Sequence, residues 1–401
     1  MTQYVIIGNG VAGNSAAEQI RGRDGQGPIT VISDEDIPFY SRIRLNEYVA
    51  GDIQEQDLIV KKHEWYEAQQ IKLRLKTRIV GADASKRVMV TADHEEIPYD
   101  RLLMAAGSHS FVPPIKGADR PGVYALRSVQ DARNISSWAK QIKDAVLIGG
   151  GLLGLEAGNA LRRLGKKVMV VEFFPRLLPR QLDVDGARRL QALLEEMGFA
   201  FRLGAKTEAI TGGDRVGGVR LEGGEALNAD MVIISAGVRP NLELAEPLGL
   251  ETDKGIKVDD HLQTNQSHIY AAGDVAEFRG FPYGIWTAAM EQGKIAGTNM
   301  AGGDATYGGT TMANTLKVVG VDLASAGDID AENELESRVA TDGTAYQKIV
   351  IQDNRIVGCI MLGDTKGFNK IREAISQELD VSRIKDRILT PGFDMAELTR
   401  G

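Results

Sequence analysis

Short apolar runs rich in valine and isoleucine recur along the chain, and several lead into glycines followed by a helical spacing. "YVII" at residues 4–7 is followed by "GNGVAG" and "NSAAEQI", which predicts strand, tight turn and helix, and "ITVIS" then supplies a second strand. The same order returns over residues 145–172, "AVLIGGGLLGLEAGNALRRLGKKVMVVE". Continuous apolar runs of this kind suit strands buried on both faces, and their alternation with helices predicts α/β units with parallel sheets. Two further runs, "YDRLLMAAGS" and "ADMVIISAGVRPN", end in Ala-Gly, and "IYAAGD" ends in Gly-Asp before a helix. A small residue at such an end lets the backbone pass close to a bound molecule. Near the C-terminus, "RIVGCIMLG" reads as a buried strand, and Ile371, Ile375 and Leu379 fall at helical spacing, with a second apolar group at Ile384 and Ile388. That stripe is core or a subunit contact.

The glycines carry the first chemistry. Gly8, Gly10 and Gly13 form G-x-G-x-x-G: the first permits the turn, the second lets a pyrophosphate approach the backbone, and the third lets helix and strand pack. Asp34 and Glu35 follow the next strand about 20 residues on, where a carboxylate can accept both ribose hydroxyls of an adenosine. Gly149, Gly151 and Gly154 repeat the pattern, with Glu172 at the acidic end. Two complete units imply two dinucleotides. Asp274, after Gly273, can bond a ribityl hydroxyl while the helix start faces a phosphate.

Composition narrows the partners. The 401 residues are 43% hydrophobic, enough for two or three domains, and the net charge of −8 argues against a nucleic-acid partner. A single cysteine, Cys359, excludes an internal disulfide framework or dithiol relay within this sequence, and its apolar surroundings read as core. The five histidines show no metal-ligand spacing, so no metal site is expected. Met1 runs directly into "YVIIGNG" without a basic leader, and no apolar run reaches the ~20 residues that span a bilayer. A cytoplasmic protein without membrane insertion is expected.

As an ordered set, the glycine triplets, "AAG" at 105–107, Glu156, "AGVRPN" and "YAAGD" resemble the two-dinucleotide-binding flavoproteins of the pyridine nucleotide-disulfide reductase superfamily over the whole chain. The resemblance implies an α/β fold with two Rossmann-like three-layer ββα nucleotide-binding domains and a small α+β C-terminal domain. It implies FAD in residues 1–110 and 241–314, NAD(H) in 111–240, and the C-terminal domain in 315–401. Within the superfamily, "PFYSRIRLNEYVAGD", "NTLKVVGVDLASAG" and "YQKIVIQDNRIVGCIMLGD" are similar to NAD(P)H:rubredoxin oxidoreductases and to the flavin-binding part of assimilatory nitrite reductases. The siroheme and iron-sulfur part of the latter is not expected here.

The resemblance also assigns residues. Gly8, Gly10, Val11, Ala12, Gly13, Asp34, Glu35, Val80, Ala106, Gly107, Gly273 and Asp274 fall to FAD, with Glu35 preferred over Asp34 for the ribose. Gly149, Gly151, Leu152, Leu153, Gly154, Glu172 and Gly237 fall to the nicotinamide nucleotide. NADH is expected over NADPH, since a 2′-phosphate 4 Å from an ionised Glu172 is repelled by up to ~4 kcal/mol per unit charge at an effective dielectric near 20. Arg176 and Arg180 stand close enough in sequence to weaken that preference. Arg42 matches a cation beside the FAD pyrophosphate, and Glu156 the acid near flavin N5 and the nicotinamide. Lys317 matches a position near the flavin pyrimidine edge or is a solvated strand-end lysine. Trp286 lies near the isoalloxazine or is plain core. Relatives pair the acid with a lysine in L-S-K, but Leu45-Asn46-Glu47 stands here, leaving Arg42, Arg44 or Lys317 as the substitute cation.

Most telling is "YSRIRLNEYVAG", Tyr40 to Gly51, where disulfide- and peroxide-reducing relatives carry redox cysteines; Ser41, Arg42, Ile43 and Arg44 occupy that space. Electrons are therefore expected to pass from NADH through FAD to an external carrier, rubredoxin or ferredoxin, met by a positive patch of Arg42, Arg44, Lys61 and Lys62. The alternatives are an NADH oxidase or dehydrogenase module of a larger complex, or a flavin-binding interaction protein. A homodimer is compatible with the resemblance.

Overall fold

The computed structural model describes residues 1–310 and 313–399, without the side chains of 313–318. It comprises two compact units: residues 1–44, 53–109 and 238–310, and residues 45–52, 110–237 and 311–401.

In the first unit, five parallel strands run in the order Ile269–Ala271, Arg101–Met104, Tyr4–Ile7, Ile29–Ile32, Ile71–Arg74. Tyr4–Ile7 is buried at every position because it lies in the sheet centre with layers on both faces, which explains its unbroken apolar run. One covering layer contains helices Val11–Arg23 and Trp286–Met300. Glycines set their approach: a Cβ at Gly293 would lie 2.3 Å from the Ala12 carbonyl oxygen, and one at Gly297 2.4 Å from that of Ala16. The other is a three-stranded antiparallel sheet, Ile79–Asp83, Val88–Thr91 and Glu96–Pro98. Apolar side chains from the central strands divide between two clusters, one including Ile6, Ala16, Ile20 and Tyr270, the other Val5, Met89, Leu102 and Ile256.

The second unit repeats the plan. Its parallel order is Phe199–Leu203, Lys167–Glu172, Asp144–Ile148, Met231–Ile234, Val123–Tyr124, with the antiparallel sheet Thr207–Gly212, Val216–Leu221, Ala226–Asn228. Helix Leu152–Arg163 stops at Leu164 and Gly165, whose φ of +75° is the left-handed conformation that ends a helix cheaply at glycine. This unit also contains an antiparallel five-stranded sheet ordered Ala313–Val318, Val321–Gly327, Arg355–Leu362, Ala345–Gln352, Glu336–Asp342, packed with helix Phe368–Ser376. Ile371 and Ile388 are buried there with Cys359, and Ile375, Leu379 and Ile384 pack partly buried against them, so the C-terminal stripe is core.

Candidate functional site

Each glycine triplet divides its labour by sterics. Gly8 and Gly149 have φ of +116° and +114°, and a Cβ there would lie 2.0 and 2.2 Å from the carbonyl oxygens of Ala105 and Ser235. At Gly13 and Gly154 a Cβ would lie 2.1 and 2.5 Å from the carbonyl oxygens of Gly8 and Gly149. Those four glycines are demanded by the protein's own packing. Gly10 and Gly151 differ: each is the N-cap of its helix, and a Cβ there meets nothing within 4 Å. Open space before unpaired helix N–H groups is what a pyrophosphate needs, so both loops fit a dinucleotide. Val11 and Ala12 open the first helix, Leu152 and half-exposed Leu153 the second.

Around the first loop, Glu35 follows strand Ile29–Ile32, held by its N–H on Ser33 Oγ (3.2 Å) and by its carbonyl, which accepts from Lys76 (2.9 Å). Its carboxylate accepts from the Tyr40 hydroxyl and from Arg42 Nη2, each at 2.7 Å. Asp34 is exposed, and both it and Asp274 act electrostatically on Arg42. Asp274 accepts from Ser108 Oγ (2.8 Å), while the Gly273 N–H donates to buried Gln292 (2.8 Å). Arg42, Glu35, Asp34 and Asp274 thus form one charged group, with Tyr40 and Ser108 as positioning partners that sequence spacing did not single out. Ala106 and Gly107 are fixed by Asn241, which donates to the Ala106 carbonyl (2.8 Å) and whose N–H donates to that of Gly107 (3.0 Å). Trp286 starts its helix partly buried, stacked with Phe39 at 5.9 Å. Val80 is exposed at a bulge in its strand pair.

Around the second loop, Glu172 is almost buried, and its carboxylate accepts the N–H groups of Gly150 and Phe174. The acid is therefore pinned beside the glycine turn. Arg176 is directed to Glu332 at 3.6 Å, while Arg180 is exposed. Gly237, with φ +97°, follows strand Met231–Ile234 and accepts from the N–H of Phe111 (2.9 Å).

Glu156 lies on the second glycine helix, and its Oε1 accepts the N–H of Val319 at 2.9 Å. Burial pushes the Glu156 carboxyl above the ordinary glutamate range, and the Val319 N–H partly offsets this. Val319 has φ +56°, an unusual conformation for a β-branched residue, and it precedes Gly320 in a hairpin turn. This partner, 163 residues away, was invisible to sequence spacing. Lys317 pairs in register with Asp322, and its side chain lies outside the described residues.

The expected positive patch is largely committed elsewhere. Lys61 pairs with Glu18 (2.6 Å) and sits 3.6 Å from the Trp65 ring centroid, Arg44 donates to the Asp57 carbonyl (2.9 Å), and Arg42 binds Glu35. Lys62 is exposed. Cys359 is wholly buried, and burial pushes its thiol up to about 12. A thiol so placed is inert at neutral pH. No helix among the described residues is long and apolar enough to cross a membrane.

Known families match most of the chain. Residues 2–293 match the family described as pyridine nucleotide-disulphide oxidoreductase, and residues 313–379 match the rubredoxin NAD+ reductase C-terminal domain. A nitrite reductase [NAD(P)H] of Bacillus subtilis is 39% identical over 97% of this chain and 49% of its own length. The NADH-rubredoxin oxidoreductase of Clostridium acetobutylicum is 32% identical over 96% of this chain and 97% of its own. The crystal structure of NADH:rubredoxin oxidoreductase from that organism superposes with a TM-score of 0.82 at 30% identity, covering 97% of this chain and 99% of that one. The chain spans about half the length of the nitrite and nitrate reductase relatives it matches.

Proposed function

The chain belongs to the pyridine nucleotide-disulphide oxidoreductase family, and from that premise we propose that it is an FAD-dependent NADH oxidoreductase delivering electrons to an external one-electron carrier, rubredoxin or ferredoxin, without a redox thiol. The observation that carries this reading is the segment Tyr40–Gly51. Where the family name promises a disulfide, Ser41, Arg42, Ile43 and Arg44 stand, and the one cysteine of the sequence is buried on strand Arg355–Leu362.

FAD, when bound, accepts a hydride and can release electrons singly. The chain's residues supply the rest. Gly10 and Gly151 leave room for a pyrophosphate at each helix start. Glu35, oriented by Tyr40 and Arg42, takes the adenosine ribose of FAD, and Asp274, oriented by Ser108, takes a ribityl hydroxyl. Glu172 accepts the NADH ribose hydroxyls from a carboxylate already fixed by two N–H groups, which disfavours a 2′-phosphate. Glu156 holds a carboxyl of raised proton affinity on the nicotinamide side. Hydride transfer requires its reacting atoms about 3–3.5 Å apart. The reading sets the protein in the cytoplasm, which supplies NADH.

A second reading, a dehydrogenase module within a larger redox complex, is supported by the 39% identity with a nitrite reductase twice as long. Anaerobic mixing of the flavin-loaded protein with NADH, followed by rubredoxin, ferredoxin or oxygen, tests both. Fast bleaching with fast reoxidation by a carrier is expected. Reoxidation by oxygen alone contradicts the carrier reading, and negligible bleaching contradicts both.

A further inference from the structure

Glu35 and Glu172 are each held by two donors, but Glu156 hangs on one. Its Oε1 accepts the Val319 N–H at 2.9 Å, and its Oε2 has no hydrogen-bond partner among the described residues. The donor comes from an unusual turn. Val318 pairs with Val321, so Val319 and Gly320, with φ +56° and +87°, form a two-residue hairpin turn. Positive φ at both positions is the type I′ geometry, which favours asparagine, aspartate or glycine. The same sheet holds a second such turn, Asp353–Asn354 with φ +49° and +59° between paired Gln352 and Arg355, and there favoured residues stand. Val319 is the only β-branched residue among the described non-glycine residues at positive φ. It is 4% exposed, so the packing of its side chain holds a backbone conformation that valine does not choose. A two-residue turn also leaves the N–H of its first residue without a partner inside the hairpin, and that is the N–H that Glu156 takes.

We propose that Val319 is a positioning residue for Glu156, an inference that rests on Glu156 acting on the nicotinamide side: the strained turn aims its unpaired N–H at Oε1, fixes the carboxylate, and leaves Oε2 to face the reactants. An N–H bonded to a carboxylate favours its ionised form, so the turn works against the burial that favours the neutral one. Among the described residues no charged side chain acts on Glu156: not Arg162 or Arg163 on its own helix, nor Glu47, Asp144, Lys167 or Glu172 on the elements packed against it. The side chain of Lys317, on the strand leading into the turn, lies outside the described residues. A hairpin of the C-terminal sheet thus sets both the direction and the proton affinity of an acid on the second glycine helix.

The test replaces the Val319 amide N–H by an ester oxygen, which keeps the side chain. In flavin-loaded protein mixed anaerobically with NADH, the ester is expected to slow the limiting rate of bleaching about 10- to 100-fold while the half-saturating NADH concentration stays unchanged. It is also expected to move to higher pH the midpoint that Glu156→Gln abolishes. Val319→Asn keeps the N–H in a residue that the turn favours, and its midpoint is expected at the wild-type value. An ester variant with the wild-type midpoint overturns the proposal, as does Val319→Asn shifting as the ester does. Should the ester fail to fold, an NMR titration of the wild type with isotopically labelled valine decides. The Val319 amide proton is expected to move downfield as Glu156 ionises and to stay in place in Glu156→Gln; an amide proton insensitive to Glu156 overturns the proposal. A pH profile that Glu156→Gln leaves unchanged overturns instead the role given to Glu156.

Discussion

At the scale of single residues, two of the assigned carboxylates are set by neighbours far away in sequence, Asp274 by Ser108 and Glu156 by Val319. Glu156 is the sharpest case, because its carboxyl is raised by burial although a backbone N–H meets it. A carboxyl raised in the folded state contributes stability that is fully present below its unfolded value and lost as pH rises through its folded value. Glu156→Gln, which cannot ionise, should flatten that loss in a urea-unfolding series across the acidic range. It should also remove an ionisation from the pH profile of flavin bleaching by NADH; an unchanged profile would show that the carboxyl does not act there. His261 shifts in the same direction for a different reason, paired charge rather than burial. Its two ring nitrogens lie 2.9 Å from Asp304 and Asp260, which raise its pKa, with Asp259 adding to the effect. Its contribution is present at low pH and fades as pH rises through the raised value. An NMR titration of the ring should therefore give a midpoint above that of a free histidine, and Asp304→Asn should lower it. Through Asp304, His261 joins its loop to the segment after helix Trp286–Met300.

At the scale of elements, the two glycine turns make a prediction that separates folding from binding. Gly149→Ala forces a Cβ against the Ser235 carbonyl at positive φ and should prevent or strongly impair folding. Gly151→Ala adds a methyl to open space at φ −75° and should leave the urea midpoint unchanged while weakening NADH binding. Equal instability of the two would contradict the division of roles. The turn chemistry was legible in the sequence because each glycine answers to sterics within a few residues or at the next strand. What held the acids was not. The Ser108 hydroxyl on Asp274 and the Val319 N–H on Glu156 leave no periodic trace, since hydrogen bonds between distant segments depend on how strands are ordered rather than on spacing. The same holds for Lys348, wholly buried, with its Nζ on the Asp330 carbonyl and Asn333 Oδ1 (2.7 Å each) and 3.4 Å from Asp183, which also accepts from the Tyr346 hydroxyl (2.6 Å). Asp183 caps helix Val184–Glu196, and Lys348 lies on strand Ala345–Gln352. Lys348 Nζ also lies 3.6 Å from the Asp330 carboxylate, so Lys348→Met removes the cation from two buried carboxylates and should cost about 3–5 kcal/mol in urea unfolding, as breaking a buried pair does. A loss below 1 kcal/mol would mean that the carboxylates find other compensation.

At the scale of the whole molecule, two repeats of one nucleotide-binding plan are joined to a sheet that carries no accessible thiol. The repeat was readable because glycine spacing and buried parallel strands are written in short runs. Partner recognition was less so: the basic residues that looked free along the chain are mostly paired or stacked once it folds, as Lys61 is with Glu18 and Trp65. The account's central claim is that electrons leave FAD without passing through sulfur. The most direct measurement is anaerobic rubredoxin reduction by NADH with flavin-loaded Cys359→Ser beside the wild type. Equal rates, with one flavin reduced per NADH and two rubredoxins reduced in turn, are predicted. A variant that still bleaches with NADH but no longer reduces rubredoxin would contradict the account.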